Sequence, residues 1–189
     1  MKSSIDVPLK LLYYWFLYIP SLLFYLGFNV NFVINGDFET GPCEADNGII
    51  HPTFWNYTGA VTQTYYNNSL ASVLFGDPGP SDRGRCYFNG QISLTTNMSQ
   101  TINLIATASS ILIDTQTVWF HLSAWIGGWS GQDDNAALSL TFINRANQQV
   151  GNITTIGPVY AADRSAISSL LFRSASGIAP IGSRSAIYR

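Results

Sequence analysis

Aromatic rings, a histidine and carboxylate or amide groups cluster between residues 119 and 134, where their types could support ligand binding. A sugar presents apolar C–H faces and a ring of hydroxyl groups, so its site needs exposed rings for stacking and hydrogen-bonding side chains beside them. The side chains that meet this description are Trp125, Trp129, Gln132, Asp133, Asp134 and His121. We predict that they bind a ligand, with Trp119 extending the set. The alternative is that the tryptophans only pack in the core or between loops.

The chain shows none of the familiar spacings of catalytic residues. The two histidines, His51 and His121, do not lie in an HExxH pattern, and there is no GxSxG elbow, phosphate-binding loop or dinucleotide fingerprint. Asp133 and Asp134 are adjacent, so on a strand they would point to opposite faces instead of forming the paired carboxylates of a glycoside hydrolase. The sequence therefore predicts a protein that is not an enzyme, with a hydrolase as a distant alternative.

The charge and the aromatic content narrow the class of protein further. Only 11% of the 189 residues are charged, 14% are aromatic, and the net charge is -2. So few lysines and arginines exclude a nucleic-acid-binding domain that works through a basic patch. The many aromatic residues and the low net charge exclude intrinsic disorder. This composition is typical of an extracellular β protein with a single domain.

The first thirty residues differ in character from the rest of the chain. Residues 11–28 contain no charged side chain, which predicts a hydrophobic helix that serves as a secretory signal or as a membrane anchor. The next Lys or Arg is Arg83, so both interpretations predict a secreted protein or one on the extracellular face of a membrane. Membrane contact is expected only through residues 11–28, if they stay uncleaved. A buried core helix and a misassigned start site are the alternatives.

The cysteines and the asparagine motifs agree with export. Cys43 and Cys86 are the only cysteines. An even count in an exported domain predicts a disulfide, with two buried free thiols as the alternative. Closing that loop would stabilise the fold by about 4 kcal/mol. N-glycosylation sequences occur at Asn56, Asn67, Asn97 and Asn152; some are expected by chance in a chain rich in Asn and Thr.

The elements that must position these residues are strands. After residue 30 no segment has a 3.6-residue period with helix caps; short runs rich in Val, Ile, Thr and aromatic residues alternate with Gly, Pro, Asn and Asp. The predicted strands are 31–35, 60–66, 71–75, 85–88, 97–104, 117–126, 136–143, 149–155, 167–172 and 184–188. Many short strands at regular spacing indicate a sandwich or a jelly roll.

The strand at 117–126 has the clearest alternation. The predicted inward residues are Val118, Phe120, Leu122, Ala124 and Ile126. Its other face carries Trp119, His121, Ser123 and Trp125, which predicts a wet outer surface with exposed rings. The segments 76–84 and 127–135 are rich in Gly, Pro and Asp and are predicted to be loops, where binding residues on a β scaffold commonly lie.

The start of the β region resembles a known family. The string Asn35-Gly36-Asp37-Phe38-Glu39-Thr40-Gly41 follows a Val/Ile-rich segment and is itself followed by Trp55. It resembles the opening of galactose-binding-like jelly rolls, a group that includes many secreted carbohydrate-binding modules and related plant cell-wall proteins. Residues 98–104, 120–128 and 137–142 continue the resemblance. It implies an all-β fold, an antiparallel β-sandwich of the galactose-binding-like jelly-roll type over residues 31–189, preceded by an N-terminal hydrophobic helix in residues 1–30.

The resemblance also implies a function and a metal site. We expect a non-catalytic, lectin-like module that binds a glycan or a glycoprotein; the alternative is a structural or adhesion module that binds protein through a broad apolar patch. No cofactor is required, but members of the group often hold a structural calcium ion, which Glu39 and the nearby Asp37 would bind here. The sequence ends at Arg189, before the terminal strand of the family and its acidic residue, so the domain is expected to lack its last strand.

Overall fold

Extended segments dominate the computed structural model, which describes residues 3–6, 9–13, 29–69, 71–106 and 108–189. The strands are β1 (Ser3–Asp6), β2 (Leu9–Tyr13), β3 (Asn29–Asn31), β4 (Asn56–Thr58), β5 (Thr62–Tyr65), β6 (Cys86–Asn89), β7 (Asn97–Asn103), β8 (Val118–Gly128), β9 (Leu138–Ile143), β10 (Gln149–Ile156), β11 (Ser169–Ile178) and β12 (Ser185–Tyr188). A single α-helix, α1 (Ser110–Asp114), lies within these described ranges. The strand ladders are antiparallel, so the prediction of an all-β antiparallel architecture is confirmed.

The larger sheet is centred on β8. Its order is β3-β2-β8-β1-β6-β5, and β11 pairs with the other edge of β8. β1 and β2 follow one another along the same edge of β8, where Ile5 is opposite Ile126 and Leu11 is opposite Phe120. β1 also pairs with β6, so it lies between β6 and β8 and joins the two halves of the sheet.

The second sheet has the order β10-β9-β12-β7-β4, and the core lies between the two sheets. The rings of Phe120 on β8 and Phe142 on β9 have centroids 5.2 Å apart. The indole of Trp55 contacts Phe88 of the larger sheet and Tyr188 of the second sheet, with centroids 5.7 Å apart in both pairs. These aromatic contacts across the layer make the molecule a sandwich, and they place the buried Trp55 in its core.

The alternation predicted for β8 is confirmed. All five residues predicted to face inward are buried, whereas Trp119 is 41% exposed on the other face. Burial of every second side chain supplies the apolar area that stabilises such a strand. Ser123 departs from the prediction, because it lies on the outer face and is nevertheless buried.

The opening motif builds a hydrogen-bonded loop around Asn35. The side-chain Nδ2 of Asn35 donates to the carbonyls of Thr40 and Thr53 and to Oε1 of Gln63, each at 3.2 Å. Its Oδ1 accepts from the backbone N–H of Thr40 at 2.8 Å. Asn35 has a φ of 53°, a conformation that Asn tolerates better than most residues. The motif therefore has a structural role in this chain.

A disulfide joins this loop to β6. Cys43 and Cys86 are bonded and lie 43 residues apart in the chain, which confirms the predicted pair. The bond ties the segment after the opening motif to the larger sheet.

Two predicted strands are wrong because side chains capture the backbone groups that a strand needs. Between residues 71 and 75, the N–H groups of Ser72 and Val73 both donate to the hydroxyl of Tyr87. Between residues 31 and 35, the N–H and carbonyl of Ile34 bind the side chain of Gln100. Only the end of β3 overlaps this second segment.

Two short elements carry no signal that the sequence analysis detected. β4 is an edge strand whose three residues are all exposed, so it has no alternation. α1 has five residues, too few for a helical period, and begins where Ser109 Oγ accepts the N–H of Leu112.

The predicted N-terminal helix and the boundary at residue 30 stay predictions. Residues 14–28, which hold most of the apolar segment, lie outside the described residues, whereas Leu9–Tyr13 forms strand β2. Within the part of the chain that the structure describes, no helix combines the length and the apolar character that a bilayer crossing requires.

Candidate functional site

A groove lies at the end of the sandwich where β6 and β8 finish. Asn89 and Gly128, the last residues of these strands, are both opposite β1, so the connections that follow them emerge side by side. Three cavities of about 190, 240 and 350 Å³ open there. Thr96 and Asn135 line the first and second cavities, and Asn97 and Arg189 line the first and third. Because they share walls, we treat the three cavities as one site, the end groove.

Carboxylate and amide groups line one side of the end groove. Asp133, Asp134 and Asn135 lie in the connection between β8 and β9 and border the second cavity. Asp133 is oriented by the backbone N–H of Ala161, which donates to its Oδ1 at 3.0 Å. Two of the predicted ligand-binding residues, Asp133 and Asp134, therefore lie together in a cavity, beside an asparagine that was not predicted.

A buried arginine holds this connection in place. Arg164 is 2% exposed and its guanidinium donates to the carbonyls of Gly128, Ser130, Gln132 and Ile167 at 2.6–3.0 Å. Burial lowers the pKa of Arg164, and the nearby carboxylates of Asp133, Asp134 and Asp163 act in the opposite direction. The positive charge of Arg164 thus interacts favourably with the carboxylates of Asp133 and Asp134. No motif marks this residue in the sequence.

An exposed tyrosine borders the third cavity. Tyr57 on β4 lines the third cavity and is 44% exposed. Its ring stacks on His51, with centroids 3.9 Å apart and planes 16° apart. His51 is in turn held by a contact of 2.9 Å between its Nδ1 and the carbonyl of Val61. Sequence reasoning missed Tyr57, whose only signal is its position inside a glycosylation sequence.

The structure places Trp125 and His121 elsewhere, on the outer face of the larger sheet. Trp125 packs against Phe172 of β11 with ring centroids 5.6 Å apart, and His121 Nδ1 lies 2.7 Å from Ser176 Oγ. With Trp119, these residues form what we call the ring face: Trp119, His121, Trp125, Phe172, Ser176 and Ile178. None of them lines the end groove, so the predicted site is divided between two surfaces.

Trp129 and Gln132 belong to the connection after β8 but do not line the end groove. Trp129 is 46% exposed, and Gln132 is exposed with its carbonyl bound to Arg164. Both remain predicted ligand-binding residues, on a loop next to the groove.

The residues predicted to bind calcium have protein partners. Glu39 Oε1 accepts from the backbone N–H groups of Arg85 and Cys86 at 2.7 and 2.9 Å, and its Oε2 accepts from Arg85 Nε at 3.1 Å. Asp37 Oδ1 lies 3.4 Å from the N–H of Glu39. Among the described residues no group of three His, Cys, Asp or Glu side chains could hold a metal ion. Calcium binding by Asp37 and Glu39 stays a prediction.

The four glycosylation sequences all have an exposed asparagine. Asn56 lies on β4, Asn67 in a turn, Asn97 on β7 and Asn152 on β10. Their surface position agrees with the prediction and leaves the modification itself as a prediction.

Comparison with known proteins found no matching family model, no matching curated protein and no matching solved structure.

Proposed function

We propose that this protein is a non-catalytic, lectin-like module of the extracellular space that binds a glycan in the end groove. The observation that carries the proposal is a groove with the exposed, stacked ring of Tyr57 in one cavity and the carboxylates of Asp133 and Asp134 in another, both adjoining the cavity between them. The disulfide favours an oxidising compartment. The galactose-binding-like jelly-roll type of the sandwich is part of the same proposal, supported by the resemblance of the opening motif.

The cavities of the groove offer the two kinds of contact that sugars need. The Tyr57 ring offers a surface on which the apolar C–H face of a pyranose stacks. The amide of Asn135 both donates and accepts hydrogen bonds, and the Asp133 carboxylate accepts them from hydroxyl groups. Three connected cavities admit several sugar units, so the proposed ligand is an oligosaccharide or the glycan of a glycoprotein.

The ring face favours a second candidate function, adhesion to a protein. Trp119, Phe172 and Ile178 are 41%, 47% and 39% exposed on one sheet surface, and exposed apolar surface of this kind is common in protein interfaces. This alternative predicts binding that depends on Trp119 and not on Tyr57.

A glycan array probed with the full chain tests the proposal. Tyr57→Ala is expected to weaken binding about tenfold, the equivalent of 1.4 kcal/mol, because it removes the stacking ring. Tyr160→Ala is the matched control, since Tyr160 is 46% exposed against 44% for Tyr57 and does not line the groove. Circular dichroism of each variant checks that the fold persists.

Three results would count against the groove. No signal from the folded, disulfide-bonded chain produced without N-glycosylation would remove the glycan proposal, and equal losses in the two variants would remove Tyr57 as the contact. Loss of signal on Trp119→Ala alone would move the site to the ring face. Repeating the array with calcium and with a chelator shows whether Asp37 and Glu39 contribute through a metal ion.

A further inference from the structure

Two of the four glycosylation sequences face each other across one strand pair. In the ladder of β4 and β7, Asn56 is opposite Ser99 and Thr58 is opposite Asn97. Each acceptor asparagine therefore lies opposite the hydroxyl residue of the other sequence. Residues directly opposite one another share a face of the sheet, so these four side chains lie together.

That shared face points to solvent. On β7, Met98 and Gln100 are buried on the inner face, whereas Asn97 is exposed. Asn56 is exposed as well, and β4 is the last strand of its sheet among the described residues. A large group attached at either asparagine meets no neighbouring strand on that side, and it would shield an edge that could otherwise pair with another chain.

The same two asparagines line the end groove. Asn56 and Asn97 both border the third cavity, of about 350 Å³, together with Tyr57. The lining of the groove includes neither Asn67 nor Asn152. A cavity of this size is within the range of small-molecule sites, so the first sugar of a glycan at Asn56 or Asn97 would fill it.

We propose that Asn56 and Asn97 are N-glycan acceptors and that a glycan at this pair closes the end groove to outside ligands. In the transfer, the amide nitrogen of asparagine bonds to the anomeric carbon of an oligosaccharide carried on a lipid pyrophosphate. The bond from that carbon to the pyrophosphate oxygen breaks, and the lipid pyrophosphate leaves while the amide loses one proton. The modification stands on exposure and register; the closing of the groove rests on the proposed glycan-binding function.

The first experiment translates the full chain in the presence of endoplasmic-reticulum microsomes and maps glycans by mass spectrometry of its peptides. We expect glycan on the peptides of Asn56 or Asn97, and removal of one glycan mass by Asn56→Gln or Asn97→Gln. Asn67→Gln and Asn152→Gln are the matched controls, because both asparagines are exposed and lie away from the groove. If neither Asn56 nor Asn97 carries a glycan, the proposal is overturned, whether or not Asn67 and Asn152 are glycosylated.

The second experiment compares glycan-array binding of the glycosylated full chain and the Asn56→Gln/Asn97→Gln variant. We expect the variant to bind about tenfold more tightly. Equal binding of the two forms would show that the attached glycan leaves the groove open. Modification at the pair together with no binding by either form would instead remove the proposed function and leave the modification site intact.

Discussion

Glu39, which is predicted as a metal ligand, accepts hydrogen bonds from protein groups in the structure. One carboxylate oxygen binds two successive backbone N–H groups at the start of β6, and the other pairs with the Arg85 side chain. Gly84 makes this approach possible, because a Cβ at that position would collide with the Glu39 carboxylate. The contact fastens the opening motif beside the disulfide.

Replacing Glu39 by glutamine tests this role. We expect Glu39→Gln to lower the free energy of unfolding by about 1–2 kcal/mol. The amide nitrogen of glutamine is a donor, so it cannot accept the hydrogen bond that Arg85 Nε donates to the carboxylate. Asp37→Asn, whose side chain makes only a long exposed contact, is expected to change it little. Urea denaturation with and without calcium measures both. If calcium stabilises the wild type and both variants lose that gain, the metal-site prediction is right and the structural role is secondary.

Among the secondary-structure elements, α1 is tied to the connection between β11 and β12 by one ion pair. Arg184 Nη1 and Nη2 donate to Asp114 Oδ1 and Oδ2 at 3.0 and 2.7 Å, and the N–H of Gly182 donates to Oδ1 at 2.9 Å. The side-chain hydrogen bond from Arg184 is the largest cause that lowers the pKa of Asp114 below its ordinary value of 3.8. A helix of five residues depends on such contacts, because it is too short to be stable alone.

The ion pair predicts a dependence of stability on pH. The folded state lowers the pKa of Asp114, so the pair stabilises the fold fully above pH 3.8 and loses that effect as acid protonates the folded carboxyl. Asp114→Asn is therefore expected to lower the melting temperature at neutral pH and to reduce the difference from wild type below pH 3.8. Asp82→Asn, at an exposed aspartate, is the control. A constant difference between wild type and Asp114→Asn across this pH range would contradict the assignment.

At the scale of the whole molecule, the larger sheet depends on the N-terminal strands. β1 pairs with β6 and β8 at once, and β2 pairs with β8 over five residues. A cleaved secretory signal ending near residue 30 would remove both strands. The predicted signal and the described sheet thus make opposite predictions for the N-terminus of the exported protein.

Deletion of residues 1–30 tests whether these residues are a removable signal or a required part of the larger sheet. The shortened chain is expected to lose its cooperative thermal transition or to aggregate, because β6 and β8 would each expose an unpaired edge. Thermal unfolding of both chains, with N-terminal sequencing of the exported full chain, gives the result. The shortened chain melting like the full chain would show that the larger sheet is stable without β1 and β2. An exported protein that starts near residue 30 would then support the predicted cleaved signal.

Several features of this protein followed from local sequence pattern. Alternating apolar residues correctly predicted the buried face of β8, since every second side chain of a strand points the same way. Asn147 lies between the predicted strands 136–143 and 149–155 and has a positive φ of 58°, which asparagine tolerates in turns. The cysteine count predicted the disulfide. The strand predicted at residues 71–75 was wrong because a residue outside that segment intervenes: the hydroxyl of Tyr87 accepts the backbone N–H of Ser72.

The candidate site was decided mostly by tertiary structure. Asp133 and Asp134 could be proposed from their residue type. The ring of Tyr57, which lines the groove, comes from an edge strand without alternation, and Arg164, which holds the connection after β8, comes from a short 3-10 helix. The pairing of Asn56 with Ser99 depends on the register of β4 against β7. Composition and periodicity report only neighbours along the chain, so they determined the class of fold, its inner faces and its disulfide. Which rings and carboxylates share a groove depends on contacts between residues far apart in sequence, and only the folded chain brings these together.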